Sequence, residues 1–214
     1  MQKICLFFSI LLLAGAGNAH ADEVFLVTMN TSSISGDSGS LDFSLSPGAG
    51  SDQSLTATVY NFAGGSYGGS MSQDGNATGG PVTSGSPLTL LANSASQLND
   101  DFETFDYGNS LSFLVSLSGP ALTAPDGIGT SSCEFDFETF SDEPGSDPVL
   151  TDDPNGISGL IDISPEGIVS SAGISPDATV ASVPEPASLW LFAGSIGFFG
   201  AAFVVRRVGE LSNR

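Results

Sequence analysis

Between Asp22 and Val183 the chain carries no lysine, arginine or histidine. All of its 24 acidic residues lie in this stretch except Glu185 and Glu210. The four basic residues lie outside it, at Lys3, Arg206, Arg207 and Arg214. Such a body cannot form ion pairs between its own side chains, so its carboxylates must be solvated, hydrogen-bonded or neutralised by ions from solution. The absence of Lys/Arg clusters also argues against nucleic acid as a partner.

Residues 1–21 have the three parts of a secretory signal peptide. Lys3 supplies the positive start, residues 4–16 form an apolar core, and Ala19 and Ala21 give a small-x-small cleavage site. We predict that signal peptidase cleaves after Ala21, so that the mature chain begins at Asp22. The alternative is an uncleaved anchor helix, but the apolar core is shorter than the ~20 residues that span a bilayer.

The mature body alternates apolar and polar residues with a period of two, which is typical of half-buried strands. The clearest runs are 24–29, 41–45, 55–60, 111–117, 134–138 and 159–163. Gly, Pro, Asn and Asp clusters separate them, and the body has no helical stripe. We therefore predict an all-β domain over residues 22–174, an antiparallel β-sandwich of jelly-roll-like type. Residues 141–183 are read as late strands followed by a linker at 175–183, or else as a stalk.

Cys133 is the only cysteine of the predicted mature chain, because Cys5 lies in the signal peptide. No intramolecular disulfide is then available. Cys133 lies in a strand-like run between serine and glutamate, and we predict a buried, unreactive side chain there.

The C-terminal tail contains the most specific pattern of the sequence. Pro184-Glu185-Pro186 is followed by an uncharged apolar run over 187–205, and then by Arg206 and Arg207. As a helix the run spans about 28 Å, close to the hydrocarbon thickness of a bilayer. We predict a transmembrane helix, with the arginines and residues 209–214 on the cytoplasmic side and the acidic body outside the inner membrane.

Residues 184–208 resemble the PEP-CTERM sorting signal of Gram-negative bacteria, on the strength of the Pro-Glu-Pro motif, the helix and the arginine pair. The resemblance implies processing by an exosortase, followed by release to the cell surface or into an exopolysaccharide-containing biofilm matrix. An ordinary single-span anchor would leave Pro-Glu-Pro unexplained. Segments 25–36, 39–48 and 105–108 resemble the body of a PEP-CTERM subfamily without assigned activity, so no catalytic residues carry over.

One segment partly fits a calcium-binding loop. Asp153, Asn155 and Asp162 fall at the third, fifth and twelfth positions of an EF-hand pattern that starts at Thr151. The first position is not acidic and the flanks are not helical, so the alternative reading is a set of solvated turn carboxylates. Segments 99–101 and 142–143 are weaker calcium candidates of the same kind.

The residue types of the body do not favour catalysis or cofactor binding. Without histidine or lysine it has no base for a serine or cysteine nucleophile, and zinc would have a single thiol. Acidic pairs suited to glycoside hydrolysis are available, but the one tryptophan, Trp190, lies in the tail. We expect a non-enzymatic surface or matrix protein without a cofactor. The alternatives are a calcium-dependent carbohydrate-binding module and a carbohydrate-active enzyme.

Overall fold

The computed structural model describes residues 22–51, 53–93 and 98–184. They form two six-stranded antiparallel sheets, which confirms the predicted all-β antiparallel class and supports a β-sandwich. Sheet A consists of β1 (Glu23–Asn30), β3 (Leu55–Ala63), β5 (Ala77–Gly79), β6 (Leu88–Ala92), β8 (Ser110–Ser118) and β12 (Ala178–Val183). Sheet B consists of β2 (Ser38–Ser46), β4 (Ser66–Asp74), β7 (Asn99–Asp106), β9 (Cys133–Phe140), β10 (Ile157–Ile163) and β11 (Val169–Gly173).

The strand order is β12-β1-β8-β3-β6-β5 in sheet A and β11-β10-β9-β2-β7-β4 in sheet B. The chain crosses repeatedly between the sheets, since most consecutive strands lie in different sheets. The helical elements of the described residues are one short helix, α1 (Pro120–Thr123), and two single 3₁₀ turns at Ser32–Ile34 and Val82–Ser84.

The core lies between the two sheets and is filled by the apolar positions of the period-two pattern. Phe113 of sheet A packs edge-to-face against Phe43 and Phe137 of sheet B, with ring centroids 5.4 and 5.3 Å apart. All three rings are almost completely buried. Each aromatic pair of this geometry adds about 0.5–1.5 kcal/mol beyond its area burial, so this triplet fixes one sheet against the other.

The long connection between β9 and β10 folds back on the end of β9. The N–H of Ser141 donates to the carbonyl of Asp147 at 2.9 Å, and the hydroxyl of Thr139 donates to the carbonyl of Val149 at 2.6 Å. Phe140 and Pro148 form an isolated bridge. Residues 141–156 therefore extend the structure of sheet B and do not resemble a free stalk.

Residues 175–183, expected to be a linker, include strand β12. Its Ala178 and Val180 are half-buried and pack against the core, which gives this short segment an apolar face to pair on. Residues Ser182–Arg214 form a separate unit, of which only 182–184 are described.

Within the described residues, no helix is long and apolar enough to cross a bilayer. The predicted signal peptide at 1–21 and the predicted membrane helix at 187–205 both lie outside the described residues.

Candidate functional site

The outer surface of sheet A carries no charged strand residue. Every second residue of its strands points away from the core, and each of these is half-buried or exposed. On β1, β3, β5, β6 and β8 these outward residues are Val24, Leu26, Thr28, Asn30, Thr56, Thr58, Tyr60, Thr78, Thr89, Leu91, Ser110, Ser112, Leu114, Ser116 and Ser118. We call this surface the neutral face.

The strand register arranges the neutral face in rows. One row runs across β8, β3, β6 and β5 and contains only hydroxyl side chains, in the order Ser116, Thr58, Thr89 and Thr78. The next row contains larger apolar and aromatic side chains, in the order Leu26, Leu114 and Tyr60. A surface with hydroxyl groups beside an amphipathic aromatic ring can offer both hydrogen bonds and ring contacts to a ligand.

The outer surface of sheet B has the opposite character. Its outward positions carry the acidic residues Asp42, Asp74, Asp100, Asp106, Glu134, Asp136, Glu138 and Asp162. We call this surface the acidic face. The sequence did not lead us to predict this face. Its one signal in the sequence is the alternation of Glu134, Asp136 and Glu138 with phenylalanines that are buried in the structure.

Carboxylates lie directly opposite each other on this face. Asp42 of β2 pairs with Glu138 of β9, and Glu134 of β9 pairs with Asp162 of β10. Residues opposite one another in an antiparallel pair have Cβ atoms about 4.5–5.5 Å apart, and like charges there destabilise the sheet. The body has no cation to relieve this repulsion, so the relief must come from protons or from ions in solution.

Asp136 lies in the middle of the acidic face and is 5% exposed. Its Oδ1 atom is buried and has no hydrogen-bond partner among the described residues, and the same holds for Oδ1 of Asp42. Burial is the main cause that raises the pKa of Asp136 to about 8, and the negative charges of Glu138 and Glu134 add to it. These two buried oxygens are unsatisfied, which is costly for a polar atom.

The carboxyl groups on either side respond in the same way. Burial and the charge of Asp100 raise the pKa of Asp42 to about 7. Burial is the main cause that raises the pKa of Glu138 to about 7, and the negative charges of Asp42 and Asp153 raise it further. Near neutral pH this part of the acidic face therefore holds protons that ordinary surface carboxylates would have lost.

A second acidic pair lies on the inward side of β7. Glu103 is fully buried and accepts the N–H groups of Val82 and Thr83 at 2.5 and 3.0 Å, together with the Thr83 hydroxyl. Asp101, also fully buried, accepts the side-chain amide of Gln73 at 2.7 Å. Burial and the neighbouring Glu103 raise the pKa of Asp101. Glu103 thus acts as an anchor for the turn before β6.

The residues of the predicted calcium-binding loop lie partly in a turn and partly on a strand. The N–H of Asn155 donates to Oδ1 of Asp153 at 2.8 Å, and the N–H of Gly156 donates to the Asp153 carbonyl at 3.1 Å. Asp162 lies on β10, opposite Glu134. In the part of the chain that the structure describes, no three His, Cys, Asp or Glu side chains are grouped to hold one metal ion.

The two weaker candidate segments also have local structural roles. Oδ1 of Asp142 accepts the N–H groups of Ser146 and Asp147, and the Ser146 hydroxyl bond lowers the Asp142 pKa. Asn99 opens β7, and its Oδ1 accepts the N–H of Asn76 at 2.8 Å.

Cys133 is buried at the start of β9, as predicted. Its sulfur accepts the N–H of Gly48 at 3.2 Å. Of the predicted processing residues, Pro184 is described and is exposed. The others lie outside the described residues, namely Ala19, Ala21, Glu185, Pro186, Arg206 and Arg207.

No family model and no curated protein matches this chain. Among solved structures, one similar chain is AggA, the major subunit of aggregative adherence fimbriae type I from Escherichia coli. It is 9% identical, and the match covers 77% of this chain and 81% of AggA with a TM-score of 0.19. A similarity this low supports no structural or functional argument.

Proposed function

We propose that this chain is an exported, non-enzymatic protein of the cell surface or extracellular matrix of a Gram-negative bacterium, and that its β domain binds uncharged exopolysaccharide through the neutral face. The observation that carries the proposal is the absence of charge on the outward strand residues of sheet A, in a body where acidic residues are otherwise frequent. A hydroxyl-rich ligand without charge does not take up the cations that the acidic face attracts. It can also form hydrogen bonds with the serine and threonine side chains of the neutral face.

Export is proposed from the ends of the sequence. A signal peptide at 1–21, a Pro-Glu-Pro motif at 184–186, a membrane helix at 187–205 and the pair Arg206-Arg207 together resemble an exosortase substrate. We infer a precursor held briefly in the inner membrane, with the arginines in the cytoplasm, and a jelly-roll-like domain released outside.

Polysaccharide binding is tested by co-sedimentation of the full-length chain with an insoluble uncharged glucan. Thr58→Glu places one negative charge in the middle of the hydroxyl row, and we expect it to reduce binding about tenfold or more. Ser72→Glu on exposed β4 adds the same charge to the acidic face and serves as the matched control. Equal binding by the two variants would contradict the assignment of the neutral face, and shortening of the glucan would favour an enzyme instead.

Processing is tested by the intact mass of the protein recovered from outside the cells. We expect the loss of residues 1–21 and of most residues after Pro186. Substituting Glu185→Ala or Arg206→Ala and Arg207→Ala should leave the precursor in the inner membrane of an exosortase-containing host. A full-length chain in the growth medium would contradict the proposal.

A further inference from the structure

Asp42, Asp136 and Glu138 are neighbouring carboxyl groups on the two central strands of the acidic face, β2 and β9. Asp42 and Glu138 are directly opposite across β2 and β9, and Asp136 lies two residues before Glu138 on the same side of β9. Asp100 on β7, Glu134 on β9 and Asp153 in the turn before β10 add negative charge around this group. Every titratable neighbour of the group is thus an acid.

An acidic cluster alone does not define a binding site, because most such clusters are solvated. Here the central member is 95% buried, since Asp136 is only 5% exposed, and its Oδ1 atom lacks a hydrogen-bond donor within the described residues. Oδ1 of Asp42 is in the same situation. Two buried carboxyl oxygens therefore lack a partner within the described residues, on a face whose other titratable groups are acids, and a cation from solution can supply one.

We propose that the acidic face binds a calcium ion between Asp42 and Glu138, with the buried carboxyl group of Asp136 beside them. Hard divalent cations prefer oxygen ligands, and calcium tolerates irregular geometry with several water ligands. Since no three acidic side chains of the described part converge on one point, water completes the coordination shell. We therefore expect weak affinity, on the order of a millimolar dissociation constant.

Asp42 and Glu138 belong to neighbouring strands, so an ion between them bridges β2 and β9. It also relieves the repulsion between two like charges that lie opposite each other in the sheet. This inference concerns sheet B and does not depend on polysaccharide binding by the neutral face.

Thermal melting of the full-length chain at about pH 8.5 tests the site. We expect about 5 mM calcium chloride to raise Tm by roughly 3 °C more than sodium chloride of equal ionic strength. The double variant Asp42→Asn/Asp136→Asn should lose most of this increment. The double variant Asp37→Asn/Asp177→Asn, which removes two charges away from the acidic face, should keep it. An increment that sodium chloride reproduces, or that survives in Asp42→Asn/Asp136→Asn, overturns the proposal.

Two further measurements keep the test decisive. Asn155→Ala should retain the full calcium increment, whereas its loss would place the ion in the 153–155 turn and contradict the site proposed here. If the Asp42→Asn/Asp136→Asn variant does not fold, isothermal titration of the unsubstituted chain and of Asn155→Ala with calcium chloride decides. Saturable binding near millimolar calcium in both proteins supports the site, and its absence from either overturns it.

Discussion

The carboxylate of Glu103 on β7 accepts the N–H of Val82 at 2.5 Å and thereby ties the turn before β6, in sheet A, to sheet B. Two more donors from Thr83 complete its hydrogen bonds. The three donors satisfy the polar atoms of a fully buried side chain in a body without cations.

Replacement of Glu103 by alanine is expected to destabilise the domain by about 3 kcal/mol, because the buried N–H groups of Val82 and Thr83 lose their acceptor. Glu103→Gln keeps one acceptor oxygen but presents an amide N–H₂ to one of the donors, so it should cost an intermediate amount. Urea unfolding followed by fluorescence measures both. A cost for alanine no larger than for glutamine would contradict the anchoring role.

Stability should fall as pH rises from about 5 to about 8.5. Asp42, Asp136 and Glu138 have folded-state pKa values near 7 to 8, against about 4 in the unfolded chain. The folded state therefore binds more protons between these limits, and its advantage is present at low pH and is lost as pH rises through the folded pKa values. Each unit of difference is worth about 1.4 kcal/mol, so we expect a total fall of several kcal/mol.

Urea melts over this pH range measure the effect in calcium-free buffer. The Asp42→Asn/Asp136→Asn variant should show a flatter profile and should be more stable than the unsubstituted chain at the alkaline end. The Asp37→Asn/Asp177→Asn variant should keep the original slope. A stability that rises with pH would show that these groups are ionised in the folded state.

Gly39 leaves no room for a side chain. A Cβ atom there would lie 2.1 Å from the carbonyl oxygen of Phe140 and 2.9 Å from the Tyr107 ring. We expect Gly39→Ala to cost about 2–3 kcal/mol, because β2 and β9 would have to separate. At Gly36, where φ is +92° and no atom lies within 4 Å, alanine should cost only the local strain, about 1 kcal/mol. Chemical denaturation of the two variants compares them.

The Tyr107 hydroxyl donates towards two backbone carbonyls at the end of the β2–β9 pair. It lies 2.9 Å from the carbonyl of Ser40 and 3.0 Å from that of Phe140. Tyr107→Phe should keep the edge-to-face contact with Phe105 and lose only the hydroxyl. We expect a cost of about 1–2 kcal/mol by urea unfolding. A neutral effect would mean that water replaces the donor.

The Cys133 thiol should resist alkylation in the folded protein. It is 5% exposed and packed against the Gly48 backbone. Peptide mapping after iodoacetamide treatment should find Cys133 modified in denaturant and unmodified in buffer. Rapid labelling under native conditions would contradict the burial.

The strands that sequence predicted correctly share one property, a continuous apolar side. On β8, Leu111, Phe113, Val115 and Leu117 all face the core, and that pattern alone identifies a half-buried strand. β7 lacked this signal because Asn99, Asp101 and Glu103 occupy inward positions. Their burial depends on partners such as Val82 and Gln73, which are distant in the sequence.

The edge strands were missed for a different reason. β4 contains Gly68 and Gly69 and contributes no side chain to the core, so its pairing with β7 depends on backbone hydrogen bonds. Such bonds leave no alternation of apolar and polar residues in the sequence. The acidic face was similarly hidden. Asp42 and Glu138 lie 96 residues apart in the sequence, and only the β2–β9 register brings them opposite each other.

The separation of strand charges leaves one outer surface of the domain acidic and the other without a charged strand residue. Domains adsorbed through the uncharged side would turn their anionic side outwards and repel one another laterally. Added salt shortens the range of that repulsion to about 8–10 Å at physiological strength. A coating of such domains would therefore pack more densely in saline than in fresh water.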